Sequence, residues 1–341
     1  MKSLRPTIWR AQILLYNTYR SPNHASRITY YVMNWTTLGW GGITLELPED
    51  WELSGLSGDD KSGYLRLEDA DMPRLELKWS ESKQKKPDLQ KVLDDYFKLV
   101  RKNYKRKDTN LHIQRNVNLI KDEEFFEDRE VAFFNWKGDF RASGVIFHCH
   151  ICKRITIVQV MGHLKENIKE TTSRIFSSVQ DHPVGQATLW SAYQLNAEVP
   201  RRYRLDKHKL LSGYLLFSFV DGSRKVSIER YGVADVTLKE QDLEEWFRGR
   251  YAKAIRGYGF SIESSNGDAE ERLTLIGEET RLIDRVPFGP ALVIDKVMRR
   301  KTFAVNLWRC HHSNRIYVVQ AIAKQDAART AEEIAASIQC H

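Results

Sequence analysis

No run of apolar residues approaches the roughly 20 needed to span a bilayer. The 341 residues also lack a glycine-rich phosphate loop, a His-Glu-x-x-His helix and a Gly-x-Ser-x-Gly elbow. These absences argue against the common hydrolases and nucleotide enzymes, and leave an enzyme of unfamiliar type as the minority reading. Acidic residues are missing from positions 1–45, where Lys2, Arg5, Arg10, Arg20 and Arg27 stand alone. The whole chain has 53 Lys and Arg against 45 Asp and Glu, a net charge of +8. Without those five, 48 basic residues face 45 acidic ones, which leaves +3. That balance is ordinary for a globular protein. No compact apolar core precedes a small-residue cleavage site, so a secretory signal is not expected.

What the chain does have is two copies of one pattern. Cys149-His150-Ile151-Cys152-Lys153-Arg154-Ile155-Thr156-Ile157-Val158-Gln159 returns as Cys310-His311-His312-Ser313-Asn314-Arg315-Ile316-Tyr317-Val318-Val319-Gln320. Pro48 and Trp51 are answered by Pro200 and Tyr203, and Ser62-Gly63-Tyr64-Leu65 by Ser212-Gly213-Tyr214-Leu215. The copies end alike, at Asp181-His182 and Cys340-His341. The period exceeds any solenoid repeat, so each copy is expected to be a domain. Hydrophobic content of 42% and aromatic content of 11% can fill two cores. The expected organisation is a basic extension over 1–40, one repeat over 41–182, a linker over 183–194 and a second repeat over 195–341. For residues 1–40 three readings stand open: a transit-like leader, a start placed too early with Met33 as the alternative initiator, or a genuine arm. The expected compartment is the cytoplasm, or an organelle if the leader reading holds.

Alternation of apolar and polar residues predicts strands at 43–47, 64–67, 75–79, 111–117, 131–136, 145–149 and 154–161. Leu89, Val92, Leu93, Tyr96, Phe97, Val100 and Tyr104 fall at helical spacing, and a closing helix is expected over 166–180. In the second copy, strands are expected near 202, at 215–219, 225–231, 272–275, 280–284, 291–297, 302–308 and 315–321. Helices are expected over 238–256 and 326–339. This order implies an α+β fold, with each repeat an antiparallel β-sheet packed with helices. It resembles the PsbP-like fold shared by the photosystem oxygen-evolving subunit P, a Ran-binding nuclear import factor and the DcrB lipoproteins. The resemblance rests on an opening strand followed by Pro48 to Trp51, or Pro200 to Tyr203, and on a last helix after a strand hairpin. It implies an α/β/α sandwich, and a fold does not carry a function with it.

The richest chemistry is His148-Cys149-His150-Ile151-Cys152, expected at a hairpin tip. Two thiolates at Cys-x-x-Cys spacing on a tight turn can grip a zinc ion, which usually takes four ligands. Cys310 and His312 at the equivalent turn are candidates to complete a joint site with Cys149 and Cys152. Ser313 stands where Cys152 does, so a metal site repeated inside each copy is excluded. Two plainer readings remain: small reduced residues at a hairpin end, or a redox pair, which would prefer a helix N-terminus. Arg154 and Arg315 follow the turn in both copies, either to bind an anion or to hold carbonyls and acids that fix the hairpin. His182 and His341 close their helices, where the macrodipole favours a histidine. The basic runs at 83–86 and 101–107 offer phosphate contacts, making nucleic acid the secondary partner reading. The leading functional reading is a non-catalytic binding or assembly module with another protein as partner and no cofactor. The alternative is a zinc-dependent factor or an enzyme centred on the Cys/His tips.

Overall fold

The computed structural model describes residues 34–105, 111–120, 124–266, 270–280 and 300–340. The chain divides into two compact units, Met1–His182 and Pro183–His341. Unit 1 opens with a hairpin, β1 (Trp35–Trp40) and β2 (Ile43–Pro48). A seven-stranded antiparallel sheet follows: β3 (Glu52–Gly58), β4 (Ser62–Glu68), β5 (Pro73–Glu81), β6 (His112–Arg115), β7 (Arg129–Lys137), β8 (Arg141–Cys149) and β9 (Arg154–Gly162). Its spatial order is β3-β4-β5-β9-β8-β7-β6. Two meanders therefore meet at one seam, β5 against β9. Helix α1 (Leu89–Lys105) links the meanders and α2 (Lys169–Ser177) follows the last strand.

Unit 2 repeats the plan. The hairpin is β10 (Ala187–Ala192) with β11 (Leu195–Pro200). The sheet contains β12 (Arg204–Leu211), β13 (Tyr214–Asp221), β14 (Arg224–Gly232), β15 (Tyr258–Asn266), β16 (Glu270–Glu279), β17 (Thr302–Cys310) and β18 (Arg315–Ala323). Its order, β12-β13-β14-β18-β17-β16-β15, has the same seam between β14 and β18. Short helices α3 (Ala234–Leu238), α4 (Leu243–Arg250) and α5 (Ala252–Ile255) replace the single long α1, and α6 (Ala327–Ser337) answers α2.

The duplication extends to backbone detail. The edge strands carry a register shift at equivalent places, between Leu53 and Gly55 and between Leu205 and Lys207. Trp51 N–H donates to Pro48 O at 3.2 Å, and Tyr203 N–H to Pro200 O at 2.9 Å. Lys153 and Asn314, the residues before the shared arginines, both have positive φ, at 59° and 49°.

The central strands read as near-continuous apolar runs because both faces of the sheet are covered there. Every residue of β9 after Arg154 is buried. On one face, α1 packs Leu93, Tyr96 and Phe97 against Phe134, Trp136, Ile146, Ile157 and Met161. In unit 2, α4 packs Leu243, Trp246 and Phe247 on Phe303, Val305, Leu307, Ile316 and Val318. On the other face of unit 1, Phe176 of α2 stacks on Phe133, and the backbones of Thr44 and Gln180 exchange hydrogen bonds of 2.8 and 2.9 Å.

These findings overturn the expected α+β class and its helix-packed α/β/α sandwich: 51% of the described residues are strand and 19% helix. Two physical causes account for the shift. The sheet edges β3, β12 and β15 gain strand structure by pairing with a neighbour despite weak alternation, so propensity did not show them. The single helix expected over 238–256 is broken twice: left-handed Lys239 and Glu240, at φ 50° and 70°, end α3, and Tyr251 interrupts the path between α4 and α5. Two boundaries also move. Residues 35–40, assigned to the extension, form β1, and the expected linker over 183–194 contains β10. The strands expected at 291–297 and over most of 280–284 lie outside the described residues.

Glycine at position 144 is required by packing. Gly144 pairs with Phe134 across β7 and β8, and a Cβ there would lie 2.1 Å from the Phe134 ring. Phe134 is fully buried and cannot swing away. Gly144→Ala is therefore expected to destabilise unit 1 by about 1–3 kcal/mol through overpacking. Urea unfolding of the full chain tests this, and a midpoint equal to wild type would remove the packing argument.

Candidate functional sites

Three places concentrate polar or exposed apolar chemistry, and the first lies at the β8–β9 tip. Cys149 ends β8 with its side chain buried, and Cys152 lies in the turn. Asp181 and His182 follow α2 and come to the same tip. The four ligand-type atoms, two Sγ, a carboxylate oxygen and an imidazole nitrogen, all lie within 4.8 Å of one another. Cys149 Sγ is 3.7 Å from His182 Nδ1, and Cys152 Sγ is 2.8 Å from Asp181 Oδ2. The N–H groups of Ile151 and Cys152 point at Cys149 Sγ from 3.3 and 3.5 Å. Asp181 is fully buried and its Oδ1 accepts from Arg129 Nη2 at 2.9 Å. Arg129 is itself held over the rings of Phe125 and Phe147.

The electrostatics separate the two thiols. Hydrogen bonding from Cys152 outweighs burial and brings Cys149 down to about 6. The same bond, then burial, then the Asp181 carboxylate push Cys152 up. Burial works to raise Asp181, but the Cys152 hydrogen bond and the Arg129 charge outweigh it and hold the carboxyl below its ordinary range. The single Cys152 proton cannot serve both Cys149 and Asp181 at once, and the 2.8 Å contact to the carboxylate is the better defined.

The structure places the other sequence candidates elsewhere. Cys310 is buried in unit 2, and its neighbour is Cys340. Burial first, then hydrogen bonding to Cys310, raises the Cys340 thiol to about 11. Thus Cys340 stands where Asp181 stands in unit 1. His312 is exposed in the β17–β18 turn. Cys149 and Cys152 find their close partners within their own unit, in Asp181 and His182. Arg154 donates to three carbonyls, those of Gly41 at 2.7 Å, Asp181 at 3.3 Å and Asp60 at 2.6 Å. Arg315 donates to Gln194 Oε1 at 2.9 Å. Both arginines thereby tie down the turn of the opening hairpin. That turn has two positive-φ residues in each copy, Gly41-Gly42 and Tyr193-Gln194. The match of Asp181-His182 to Cys340-His341 at the repeat ends was the available signal for the two residues that join Cys149 and Cys152.

A second site was not visible as a motif. In each sheet a buried carboxylate meets a buried glutamine across the seam. Gln159 Nε2 donates to Glu76 Oε2 at 2.9 Å, and Tyr64 Oη donates to Glu76 Oε1 at 2.9 Å. Gln159 Oε1 accepts from Tyr96 of α1 at 2.5 Å and from Trp136 Nε1 at 3.0 Å. In unit 2, Gln320 Nε2 donates to Glu229 Oε1 at 3.1 Å, while Tyr214 and Tyr231 donate to Oε2 at 2.7 and 2.8 Å. Burial and the adjacent carboxylate push Tyr64 and Tyr214 upward, so both keep their protons and act as donors. In unit 1 the network joins strands and helix, with partners for both ends of the Gln159 amide and both Glu76 oxygens.

The third place is one end of the unit 2 sheet. Leu211, Val233 and Val236 are 60%, 55% and 69% exposed. They lie at the same end of the sheet, where the β12–β13 turn meets the end of β14 and Gly232 N–H donates to Gly213 O at 2.8 Å. Val233 has φ 52° and ψ 66°, a left-handed conformation that is strained for a β-branched residue. Arg315 pairs with Gly232 in the ladder, and Arg230 donates to Tyr193 O. Burial first, then the Arg315 charge, holds Arg230 down to about 10. Neither guanidinium has a carboxylate partner among the described residues.

No family profile and no curated protein matches the chain. Among solved structures, it is similar to the T6SS immunity protein TplEi from Pseudomonas aeruginosa complexed with "L" peptide, at 8% identity and TM-score 0.30, covering 89% of this chain and 97% of that one. It is also similar to a chain of the Tle4–Tli4 complex, at 10% identity and TM-score 0.27, covering 89% and 97%. Superpositions this loose carry no argument about fold or role. No helix among the described residues is long and apolar enough to cross a membrane.

Two outcomes follow from this geometry. Gln159→Leu strips two donors of their acceptor and Glu76 of a donor, with an expected cost of about 3 kcal/mol. Chemical denaturation reads it, and a loss below about 1 kcal/mol would show that water replaces the amide. The second concerns pH. The folded pKa of Cys149 lies below its unfolded value of roughly 8.5. Its contribution to stability is thus full above that value and lost as pH falls through the depressed folded value. Ultraviolet thiolate absorbance of the reduced chain, kept in chelator, should show one group titrating below the ordinary thiol range that vanishes in Cys149→Ser. A first titration above 8 would contradict the assignment.

Proposed function

We propose that the chain is a non-catalytic protein-binding module. Its docking surface is the apolar end of unit 2, and its partner presents an apolar segment flanked by Asp or Glu. The observation that carries this reading is the exposed trio Leu211, Val233 and Val236, with Val233 on strained backbone. Strain of this kind costs about 1–3 kcal/mol and persists at sites where it serves a purpose. Isolated exposed aliphatics are ordinary on a protein surface, whereas a contiguous group marks an interaction site. Arg230 and Arg315 lie at the same end of the sheet, held by Tyr193 O and Gln194 Oε1 but without carboxylate partners in the described residues, which favours an acidic flank on the ligand.

Peptide display on the immobilised full chain tests the reading. Enriched sequences should combine aliphatic or aromatic residues with Asp or Glu. As synthetic peptides they should bind more weakly at high salt and at least tenfold more weakly to Val236→Glu. Val233→Gly should raise the melting temperature by relieving strain while weakening binding. Equal enrichment on wild type and Val236→Glu would overturn the proposal. So would self-association of the chain that Val236→Glu abolishes, because the surface would then serve a second copy.

A further inference from the structure

The geometry points to a zinc-class divalent cation site within unit 1, formed by Cys149 Sγ, Cys152 Sγ, Asp181 Oδ2 and His182 Nδ1. It is independent of the docking surface on unit 2. Thiolate, imidazole and carboxylate together form a donor set that suits Zn(II), which prefers four ligands in a tetrahedron. Bond lengths of about 2.0–2.3 Å to these donors require ligand atoms roughly 3.3–3.8 Å apart. Here Cys149 Sγ to His182 Nδ1 is 3.7 Å and His182 Nδ1 to Asp181 Oδ2 is 3.5 Å. No pair among the four exceeds 4.8 Å. The 2.8 Å pair of Cys152 Sγ and Asp181 Oδ2 must open, and the longest pair close, for all four to meet one centre.

Three further features suit a metal better than a bare thiol pair. The first is the turn: the N–H groups of Ile151 and Cys152 both aim at Cys149 Sγ, which supports a bound thiolate. The second is charge. Two thiolates and a carboxylate carry −3, a divalent ion brings this to −1, and Arg129 on the far oxygen of Asp181 makes the group neutral. A buried cluster is tolerated only when charge is balanced in this way. The third is orientation. Arg129 on Oδ1 leaves Oδ2 facing the sulfurs, and Arg154 holds the Asp181 carbonyl, so outer contacts fix the ligand as they do in established metal sites. A disulfide between Cys149 and Cys152 would use neither the carboxylate nor the imidazole. Cys152 and His182 are partly exposed, which gives an ion a way in.

Unit 2 supplies the internal contrast. Its equivalent positions are Cys310, Ser313 and Cys340, so one sulfur is lost and the carboxylate becomes a thiol. The site therefore belongs to the first copy, and one ion per chain is expected.

The test uses the full-length reduced chain with zinc and cobalt(II) as probes. Wild type should retain one zinc per chain through desalting. With cobalt it should show the intense visible bands of a tetrahedral ion together with thiolate charge transfer. Cys152→Ser and His182→Gln should each weaken binding at least tenfold. Cys340→Ser should leave it unchanged. Chelation should lower the melting temperature of wild type but not of Cys152→Ser. Should Cys152→Ser misfold, the partly exposed His182→Gln carries the same comparison. Sub-stoichiometric metal in wild type, a pale six-coordinate cobalt spectrum, or equal affinity in His182→Gln would each overturn the site. Loss of the metal in Cys340→Ser would overturn its assignment to unit 1.

Discussion

One hydrogen bond sits where each sheet is hardest to close, the contact between a buried glutamine and a buried glutamate. Strands β5 and β9 are the last strands of two separate meanders, and all of α1, β6, β7 and β8 is looped out before they meet. Loop closure of that kind costs entropy that local hairpins avoid. Burial of β9 on both faces offsets the cost, but apolar contacts alone tolerate a slipped register. A slip by one residue would turn Gln159 to the opposite face, away from its partners, and leave Glu76 without its amide donor. The seam thus gains specificity from a polar pair inside an apolar core. Tyr96 and Trp136 extend the constraint to α1 and β7.

The second copy keeps the constraint and moves its parts. Gln320 is the counterpart of Gln159, but its ladder partner is Ser227, and the acid lies two residues further on at Glu229. A strand repeats its face every two residues, so the carboxylate remains on the correct side and the amide reaches it diagonally. The same economy appears at the tips. Arg154 and Arg315 both tie down the opening hairpin's turn, by carbonyls in one copy and by a side-chain amide in the other. With the scaffold held, the tip residues can diverge. Unit 1 gathers two thiols, a carboxylate and an imidazole, while unit 2 has a thiol pair and an exposed apolar end.

Elements with a strong local signal were legible. The helical spacing from Leu89 to Tyr104 gave α1, and the run from Val145 to Met161 gave the β8–β9 hairpin with Cys149 and Cys152 at its tip. The repeat gave two units, but of the opening hairpins only the strands before Pro48 and Pro200 were legible; β1 fell in the assigned extension and β10 in the assigned linker. Edge strands such as β12, Arg-Leu-Asp-Lys-His-Lys-Leu-Leu, were not legible as full strands, because their pairing is decided by a neighbour and not by their own pattern. That undercount made helices look like equal partners in the architecture. Of the candidate site, Cys149 and Cys152 could be read from spacing. Asp181 and His182 could not, since 29 residues separate Cys152 from Asp181 and only the return of α2 across the sheet brings them together.

The sequence by itself determined the duplication, the tight turns and the residue types available at each tip, because these depend on local backbone preference and side-chain chemistry. The tertiary structure alone decided that strands dominate, that a glutamine and an acid close each seam, and which side chains share the tip with Cys149. Those outcomes depend on segments far apart in the chain, and their proximity follows from sheet order and burial rather than from any local pattern.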